Sequence, residues 1–247
     1  MRCSLVRVYA ALATSDSAGA TPLGKLREGR AMSTPISDDG FGRLDLYARL
    51  ALAGVACFVA SALVLPLFSE YTLTRDYISE LAIGRFGFVQ TIAFLAFGLG
   101  ALALAAGIRR ATRGSWGSLV GSVIFALFGF GVLVDAFFPI DRGGNHPQTM
   151  TGTVHILAAS VAFACAVLGM FVLTRTFKRD ARWQSYWRLS LVLALGALVA
   201  FFLPSGQWAG TFQRIFLGVV IAWMILAASG LRSIARDTSI PHPSRVW

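Results

Sequence analysis

The chain alternates between long apolar stretches and short polar segments, and this pattern predicts its secondary structure. Six stretches of 17 to 32 residues contain no Asp, Glu, Lys or Arg: 50–69, 86–108, 114–134, 143–174, 189–213 and 215–231. A helix needs about 20 residues to cross the hydrocarbon core of a bilayer, with a lower limit near 17. Because a charged side chain at the bilayer centre costs about 3 kcal/mol on insertion scales, charge-free stretches mark the spans. The sequence therefore predicts an all-α integral membrane bundle of six transmembrane helices.

The composition agrees with a protein surrounded by lipid. Hydrophobic residues make up 56% of the chain and charged residues only 14%, with a mean hydropathy of +0.67. A soluble domain carries about 25% charged residues. The composition therefore excludes an ordinary soluble domain, and the lipid bilayer is the first partner that we expect.

The basic residues predict the orientation. If the termini lie on one side, 18 of the 22 Lys and Arg residues lie there too, and only Arg75, Arg85, Arg142 and Arg214 lie opposite. Short loops rich in Lys and Arg stay in the cytoplasm during insertion. We therefore expect both termini in the cytoplasm and the protein in the cell (inner) membrane. The same sorting explains the net charge of +10 without a nucleic-acid site, so we expect no nucleic-acid partner.

The composition also divides the chain into three parts. Residues 1–45 are rich in Ser, Gly, Ala, Asp and Arg and predict a disordered cytoplasmic segment. Residues 46–232 form the predicted six-helix domain, and 233–247 form a cytoplasmic tail. Met32, in the sequence Met-Ser-Thr-Pro, is a second candidate start, which would leave residues 1–31 untranslated.

Small residues predict where helices approach each other closely. Gly117 and Gly121 form a GxxxG pair in the third apolar stretch, a spacing that lets helix backbones pack tightly. Gly98 and Gly100 lie in a similar position in the second stretch. We expect these glycines to face neighbouring helices.

The segment between the first two spans predicts a short interfacial helix over residues 72–83, ended by Gly84. Leu73, Tyr77, Ile78, Leu81 and Ala82 fall on one side at helical spacing, opposite Arg75, Asp76, Ser79 and Glu80. One interpretation places this helix flat on the membrane with a solvated polar face. The other folds the polar face over the mouth of the bundle.

Two ionisable residues flank the loop after the third span. Asp135 lies near the end of that span and His155 near the start of the fourth. An ionisable group at this depth normally has a partner inside the bundle, and Arg85, Arg214 and His155 are the candidates for Asp135. The fourth helix has Thr151 or His146 as its expected cap, and its N-terminus favours a neutral His155. A structural ion pair and a functional site both fit this pattern.

The same segments carry a family resemblance. The motif Tyr77-Ile78-Ser79-Glu80-Leu81, and Phe138-Pro139-Ile140-Asp141 followed by Gly152 to His155, resemble the prokaryotic membrane family catalogued as domain of unknown function (DUF) 998. The resemblance covers about residues 45–235 and implies about six spans. The chain departs from the family pattern at Ala82, Gln90 and Ala136. The family has no assigned activity, so the resemblance points to Ser79, Glu80, Asp141 and His155 without naming a reaction.

Three functions fit these residues. In the first, Glu80, Asp135, Arg85 and Arg214 line a cavity that binds or transports a small or lipid-like ligand. In the second, Ser79, Asp141 and His155 are catalytic residues of a membrane hydrolase for a lipid amide or ester, by analogy with ceramidases. The third function is that of a structural accessory subunit.

No cofactor is required by any of these three functions. A zinc site is the alternative, and it would need His146, His155 and Asp141, because the third histidine, His242, lies on the opposite side.

All these functional interpretations require two distant segments to meet. We expect Ser79 or Glu80 within side-chain reach of Asp141 or His155, with Asp135 just beneath them. The span directions place all five residues at the same end of the bundle.

Overall fold

The structure, a computed structural model, describes residues 38–143, 147–203 and 206–237. These residues form six α-helices and four short 3-10 helices and contain no strand, so the predicted all-α class is confirmed. The α-helices are α1 (Asp38–Val64), α2 (Gly87–Ala111), α3 (Trp116–Phe137), α4 (Met150–Arg179), α5 (Trp187–Phe201) and α6 (Ala209–Asp237). The 3-10 helices are Leu65–Phe68, Ile78–Ala82, Ala181–Trp183 and Gly206–Trp208.

Short loops make successive helices antiparallel, and each helix packs against the next in the chain. α6 also packs against α1, where Nε of Arg232 lies 3.3 Å from Oδ1 of Asp45. The start of α1 and the end of α6 therefore lie at one end of the bundle, here called the terminal face. The loops after α1, α3 and α5 lie at the opposite end, here called the site face.

Small residues and aromatic rings fill the core. A methyl group on Gly121 would lie 2.9 Å from Leu173 of α4, and one on Gly98 would lie 2.8 Å from the carbonyl oxygen of Gly129 in α3. The predicted close approach at these glycines is confirmed. The fully buried aromatic side chains are Phe58, Phe97, Phe125, Phe128, Phe177, Trp183 and Trp223.

Five of the six α-helices are long and apolar enough to cross a membrane, and α5 is the exception. It has 15 residues, which give a length of about 22 Å. The predicted fifth stretch, 189–213, is divided in the structure: α5 ends at Phe201 and α6 already begins at Ala209. Arg214, which separates the fifth and sixth charge-free stretches, lies inside α6, where backbone carbonyl groups bind its guanidinium group.

The domain boundaries also differ from those expected. α1 begins at Asp38, inside the segment 1–45 assigned to disorder, and α6 ends at Asp237, beyond the expected end of the domain at residue 232. Residues 1–37 and 238–247 lie outside the described residues, as does Met32. The disorder predicted for those parts stays a prediction.

The interfacial helix is shorter than expected. Only Ile78–Ala82 is helical, as a 3-10 helix that we call the Ser79 helix. Residues 72–76 instead form a closed turn, because Oδ2 of Asp76 accepts a hydrogen bond from the backbone N–H of Thr72 (2.7 Å). Tyr77 is extended, with φ −70° and ψ 148°, so it interrupts any helix between the turn and the Ser79 helix.

Candidate functional site

The local sequence determines both ends of the Ser79 helix. At its start, Oε1 of Glu80 accepts a hydrogen bond from the backbone N–H of Tyr77 (3.1 Å). After its end, Gly84 has φ +126°, a conformation that favours glycine. Ile78, Ser79 and Leu81 are buried, and Ser79 is only 3% exposed. Ser79 therefore lies on the inward side, which agrees with the interpretation that places it over the mouth of the bundle.

The first turns of α6 attach this loop to the bundle. Oε1 of Gln213 accepts a hydrogen bond from the backbone N–H of Ile78 (2.7 Å). The backbone N–H of Thr211 donates to the carbonyl oxygen of Thr74 (3.1 Å). The position of Ser79 thus depends on α6, although the two lie more than 130 residues apart in the chain.

Arg214 strengthens the same attachment. Its Nη1 lies within hydrogen-bond distance of the carbonyl oxygens of Leu73 (2.7 Å), Asp76 (3.0 Å) and Gly210 (2.7 Å), and its Nη2 donates to the hydroxyl of Tyr71. Burial raises the pKa of Tyr71 to about 12, although the nearby Arg214 lowers it. Tyr71 therefore stays a neutral phenol. Arg214 is not the partner of Asp135 that the sequence suggested, because these carbonyl groups and Tyr71 bind its guanidinium group.

Of the candidates for Asp135, the structure places His155 beside it, at a distance beyond a hydrogen bond. Oδ1 of Asp135 lies 3.7 Å from Nδ1 of His155, and the two residues are 5% and 4% exposed. Nδ1 of His155 also donates a hydrogen bond to the carbonyl oxygen of Phe138 (2.7 Å). Since a carbonyl oxygen only accepts, Nδ1 must carry the hydrogen, and the neutral ring then presents Nε2 as an acceptor.

The carboxylate of Asp141 binds the segment that leads into α4. Its Oδ2 accepts hydrogen bonds from the backbone N–H groups of Gln148 (2.7 Å) and Thr149 (2.9 Å), and its Oδ1 accepts one from the Thr149 hydroxyl (2.8 Å). The hydrogen bonds from Thr149 are the main cause that lowers the pKa of Asp141. The carboxylate thus holds the loop before α4 and does not reach the pocket described below. The structure does not bring Asp141 into one pocket with Ser79 and His155, because its carboxylate oxygens face the α4 N-terminus. Its catalytic role stays a prediction.

The N-cap of α4 is Thr149, whose hydroxyl accepts from the backbone N–H of Gly152 (3.1 Å). The expected caps, Thr151 and His146, are therefore not used, because α4 begins at Met150. A methyl group on residue 152 would overlap Oδ2 of Asp141. The Gly-x-x-His pattern thus has two structural reasons: Gly152 leaves room for Asp141, and His155 binds Phe138.

A pocket of about 350 Å³ lies between the Ser79 helix, α4, α5 and α6 on the site face. Its polar lining includes Ser79, His155 and Gln213, and its walls are largely apolar. The apolar lining residues are Ile140, Ile156, Ala159, Phe163, Ala200, Phe201, Leu203, Ala209, Phe212 and Phe216. Ser79 and His155 therefore line one pocket, at the end of the bundle where the span directions place them.

A smaller cavity of about 20 Å³ has Asp135 in its lining. It shares Ser79, His155 and Gln213 with the larger pocket. The hydroxyl of Ser79 and Oδ1 of Asp135 are buried and have no hydrogen-bond partner among the described residues. Asp135 thus lies beside the pocket's polar end, as expected.

Glu80 and Arg85 belong to another crevice, of about 490 Å³, which they line together with Arg142. Oε2 of Glu80 accepts a hydrogen bond from the backbone N–H of Gly143 (3.3 Å), and the guanidinium group of Arg85 lies 5.4 Å from the Phe86 ring centre. The predicted ligand-binding set of Glu80, Asp135, Arg85 and Arg214 is therefore divided between separate places.

Sequence reasoning missed Gln213 and the phenylalanines of α6. An analysis based on charged residues passes over an uncharged amide inside an apolar stretch. The signal that was present is helical spacing, because Phe212, Gln213 and Phe216 recur three and four residues apart and face one side of α6.

Metal binding has no support within the described part of the chain, where no group of three or more His, Cys, Asp or Glu residues could hold an ion. His146 lies outside the described residues. The zinc site suggested for His146, His155 and Asp141 is therefore not tested as a whole.

Comparison with known proteins gives one match. The model of a family described as "Protein of unknown function (DUF998)" matches residues 51–230. Searches of the curated proteins and of the solved structures found no match. The matched region includes all of α2 to α5, parts of α1 and α6, and both motifs that carry Ser79 and His155. This chain, with its helices of membrane-spanning length, belongs to the DUF998 family.

Proposed function

We propose that this membrane protein binds an amphipathic, lipid-like ligand in the pocket on its site face. One observation carries the proposal: a pocket of about 350 Å³ has largely apolar walls and a few polar side chains, which are Tyr77, Ser79, His155, Ser160 and Gln213. Ligand sites commonly combine an apolar lining with a few polar groups that orient the ligand. The apolar walls suit an alkyl chain and the polar side chains suit a head group.

The shape of the bundle supports entry from the surrounding lipid. Phe201 lies at the end of the short α5, and Ser160 lies in α4. Both residues line the pocket and are exposed on the surface of the described bundle. Ser160 is ten residues after the start of α4, which is about 15 Å along the helix. An alkyl chain therefore reaches the pocket from the side while its head group stays near the membrane surface.

The orientation is part of the proposal. The terminal face carries most of the basic residues, so both termini lie in the cytoplasm and the pocket faces the other side of the cell (inner) membrane. Reporter fusions after Arg113 and Arg182 should report a cytoplasmic location, and fusions after Gly144 and Gly206 the opposite side. A reversed pattern would place the pocket on the cytoplasmic side.

Ligand binding is tested by extracting lipids from purified protein and identifying them by mass spectrometry. Ala159→Phe fills the pocket, because Ala159 lines both the larger and the smaller cavity. Val161→Phe is the matched control, since Val161 lies on the same helix and is 61% exposed. We expect a lipid species that wild type and Val161→Phe retain and Ala159→Phe loses. Equal lipid contents in all three proteins would contradict the proposal.

A second function, hydrolysis of a lipid ester or amide, is favoured by the Asp135–His155 pair beside Ser79. The Ser79 hydroxyl would attack the carbonyl carbon and transfer its proton to Nε2 of His155. His155 would then protonate the departing alcohol or amine, and water would hydrolyse the acyl-Ser79 ester. Asp135 would be a positioning residue, because Oδ1 lies 3.7 Å from Nδ1 of His155.

A fluorophosphonate probe tests this second function, because it modifies an activated serine covalently. Hydrolysis requires an adduct on Ser79 that is absent in Ser79→Ala and strongly reduced in His155→Ala. Asp135→Asn should slow labelling and change its pH profile without abolishing it. If wild type is not labelled but binds lipid, the pocket is a binding site without this chemistry.

A further inference from the structure

We infer that the ligand has an uncharged head group with a carbonyl oxygen. The inference rests on the proposed function and names the class of ligand for the same pocket. Its basis is the set of hydrogen-bonding atoms that the pocket presents and the absence of charged side chains from its described lining.

Gln213 contributes a hydrogen-bond donor. Its Oε1 accepts from the backbone N–H of Ile78, at 2.7 Å. A backbone N–H group only donates, so this contact fixes which end of the amide is the oxygen. The –NH₂ end of Gln213 is then the group left to bind an acceptor in the pocket.

Ser79 and His155 complete the set. The Ser79 hydroxyl is buried without a hydrogen-bond partner among the described residues, and a group of this kind is costly unless something binds it. Nδ1 of His155 is used by the carbonyl oxygen of Phe138, which leaves Nε2 as an acceptor. These three side chains, at the polar end of the pocket, thus offer a donor from Gln213, an acceptor from His155, and a hydroxyl of Ser79 that serves as either; Tyr77 and Ser160 add further hydroxyl groups to the lining.

This pocket differs from the neighbouring crevice in the charge of its lining. None of its described lining residues is Asp, Glu, Lys or Arg. The other crevice of the site face is lined by charged side chains, among them Glu80, Arg85 and Arg142. A phosphate, carboxylate or ammonium group would be desolvated in the pocket with no counter-charge in its described lining, at a high cost. The carboxyl group of Asp135 lines the adjoining smaller cavity and not this pocket. A carbonyl oxygen is neutral and accepts from Gln213 and Ser79, and an amide N–H also satisfies His155.

The test compares four probes with the same alkyl chain: decanamide, methyl decanoate, decanoate and decylammonium. Their affinities for purified full-length protein are measured below their micelle-forming concentrations by native mass spectrometry. We expect decanamide and methyl decanoate to bind at least about tenfold more tightly than the two charged probes. Decanamide should bind more tightly than the ester, because only the amide donates to His155.

Two variants test the named atoms. Gln213→Glu keeps an oxygen acceptor for the Ile78 N–H but removes the donor, and Ser79→Ala removes only the hydroxyl. Each should weaken decanamide binding about tenfold, the equivalent of one hydrogen bond. Thermal unfolding checks that both variants are folded, and Ser79→Ala removes no hydrogen bond between described residues.

Each result supports or overturns the inference. If charged probes bind as tightly as decanamide, or if both variants bind it like wild type, the inference is wrong. In that case the proposed function still stands, provided that Ala159→Phe abolishes binding of the probes. If wild type binds none of the probes and retains no lipid on purification, the inference and the proposed function both fail.

Discussion

At the scale of single residues, the contact between Gly152 and Asp141 on the site face leaves no room for a side chain. A methyl group at residue 152 would overlap Oδ2 of Asp141, which holds the loop before α4. We expect Gly152→Ala to lower the free energy of unfolding by about 1–3 kcal/mol, as overpacking does elsewhere. Gly218→Ala is the control, because no atom lies within 4 Å of the added methyl group. The measurement is thermal unfolding in detergent. Equal unfolding temperatures for the two variants would contradict this account.

The hydrogen bonds of Asp141 also predict a dependence on pH. They lower its pKa in the folded protein, so they stabilise the fold above the ordinary pKa of an aspartate, near 4. This stabilisation is lost as the pH falls through the lowered value. Asp141→Asn should therefore have a lower unfolding temperature than wild type near pH 7 and a smaller loss on acidification. If the unfolding temperatures of the two proteins fall in parallel between about pH 7 and pH 3, Asp141 has no such role.

The sequence identified Ser79, Asp135 and His155 as neighbours because span direction and motif position place them at one end of the bundle. It could not separate Asp141 from them, since a carboxylate that caps a helix and one that lines a pocket look alike in a sequence. The sequence could not identify Gln213, because its role depends on a hydrogen bond from the backbone N–H of Ile78, which is far away in the chain.

At the scale of helices, the contact between α3 and α4 depends on Gly121. A side chain there would meet Leu173 at 2.9 Å and Val172 at 3.1 Å. Gly121→Leu should separate the two helices and lower the unfolding temperature in detergent. Val123→Leu on the same helix is the control, because Val123 is 50% exposed. If Gly121→Leu unfolds like the control, the packing of α3 on α4 described here is wrong.

The attachment of the Ser79 loop to α6 gives a second prediction at this scale. Arg214→Lys keeps the positive charge but loses the branched guanidinium group that reaches Leu73, Asp76 and Tyr71 together. We expect faster hydrogen exchange for the backbone N–H groups of 72–80, measured by mass spectrometry. Exchange in α3, which does not depend on this attachment, serves as the internal reference. Unchanged exchange in 72–80 would show that Arg214 does not hold the loop.

The sequence predicted most helices well because charge-free stretches of spanning length have few alternatives. The prediction was less accurate where a polar side chain forms hydrogen bonds with nearby backbone groups. Asp76 closes a turn where an amphipathic pattern predicted a helix, and Arg214 lies inside α6 although it separates two charge-free stretches. Both features arise from hydrogen bonds between side chains and backbone groups, which the spacing of apolar residues does not encode.

At the scale of the whole molecule, unequal helix lengths make the pocket. α4 has 30 residues and α6 has 29, whereas α5, which lies between them, has 15. The long helices extend beyond α5 and leave room for the phenylalanines and polar groups of the pocket. The architecture therefore links a packing feature of the bundle to a binding site at its edge.

The most direct test of the pocket is photolabelling in lipid nanodiscs with a decanamide that carries a diazirine on its alkyl chain. We expect mass spectrometry to locate the label in residues 155–163 and 209–216. Excess decanamide and Ala159→Phe should each remove it, and Val161→Phe should not. Label spread over the lipid-exposed helix surfaces, unaffected by excess decanamide or by Ala159→Phe, would contradict the account.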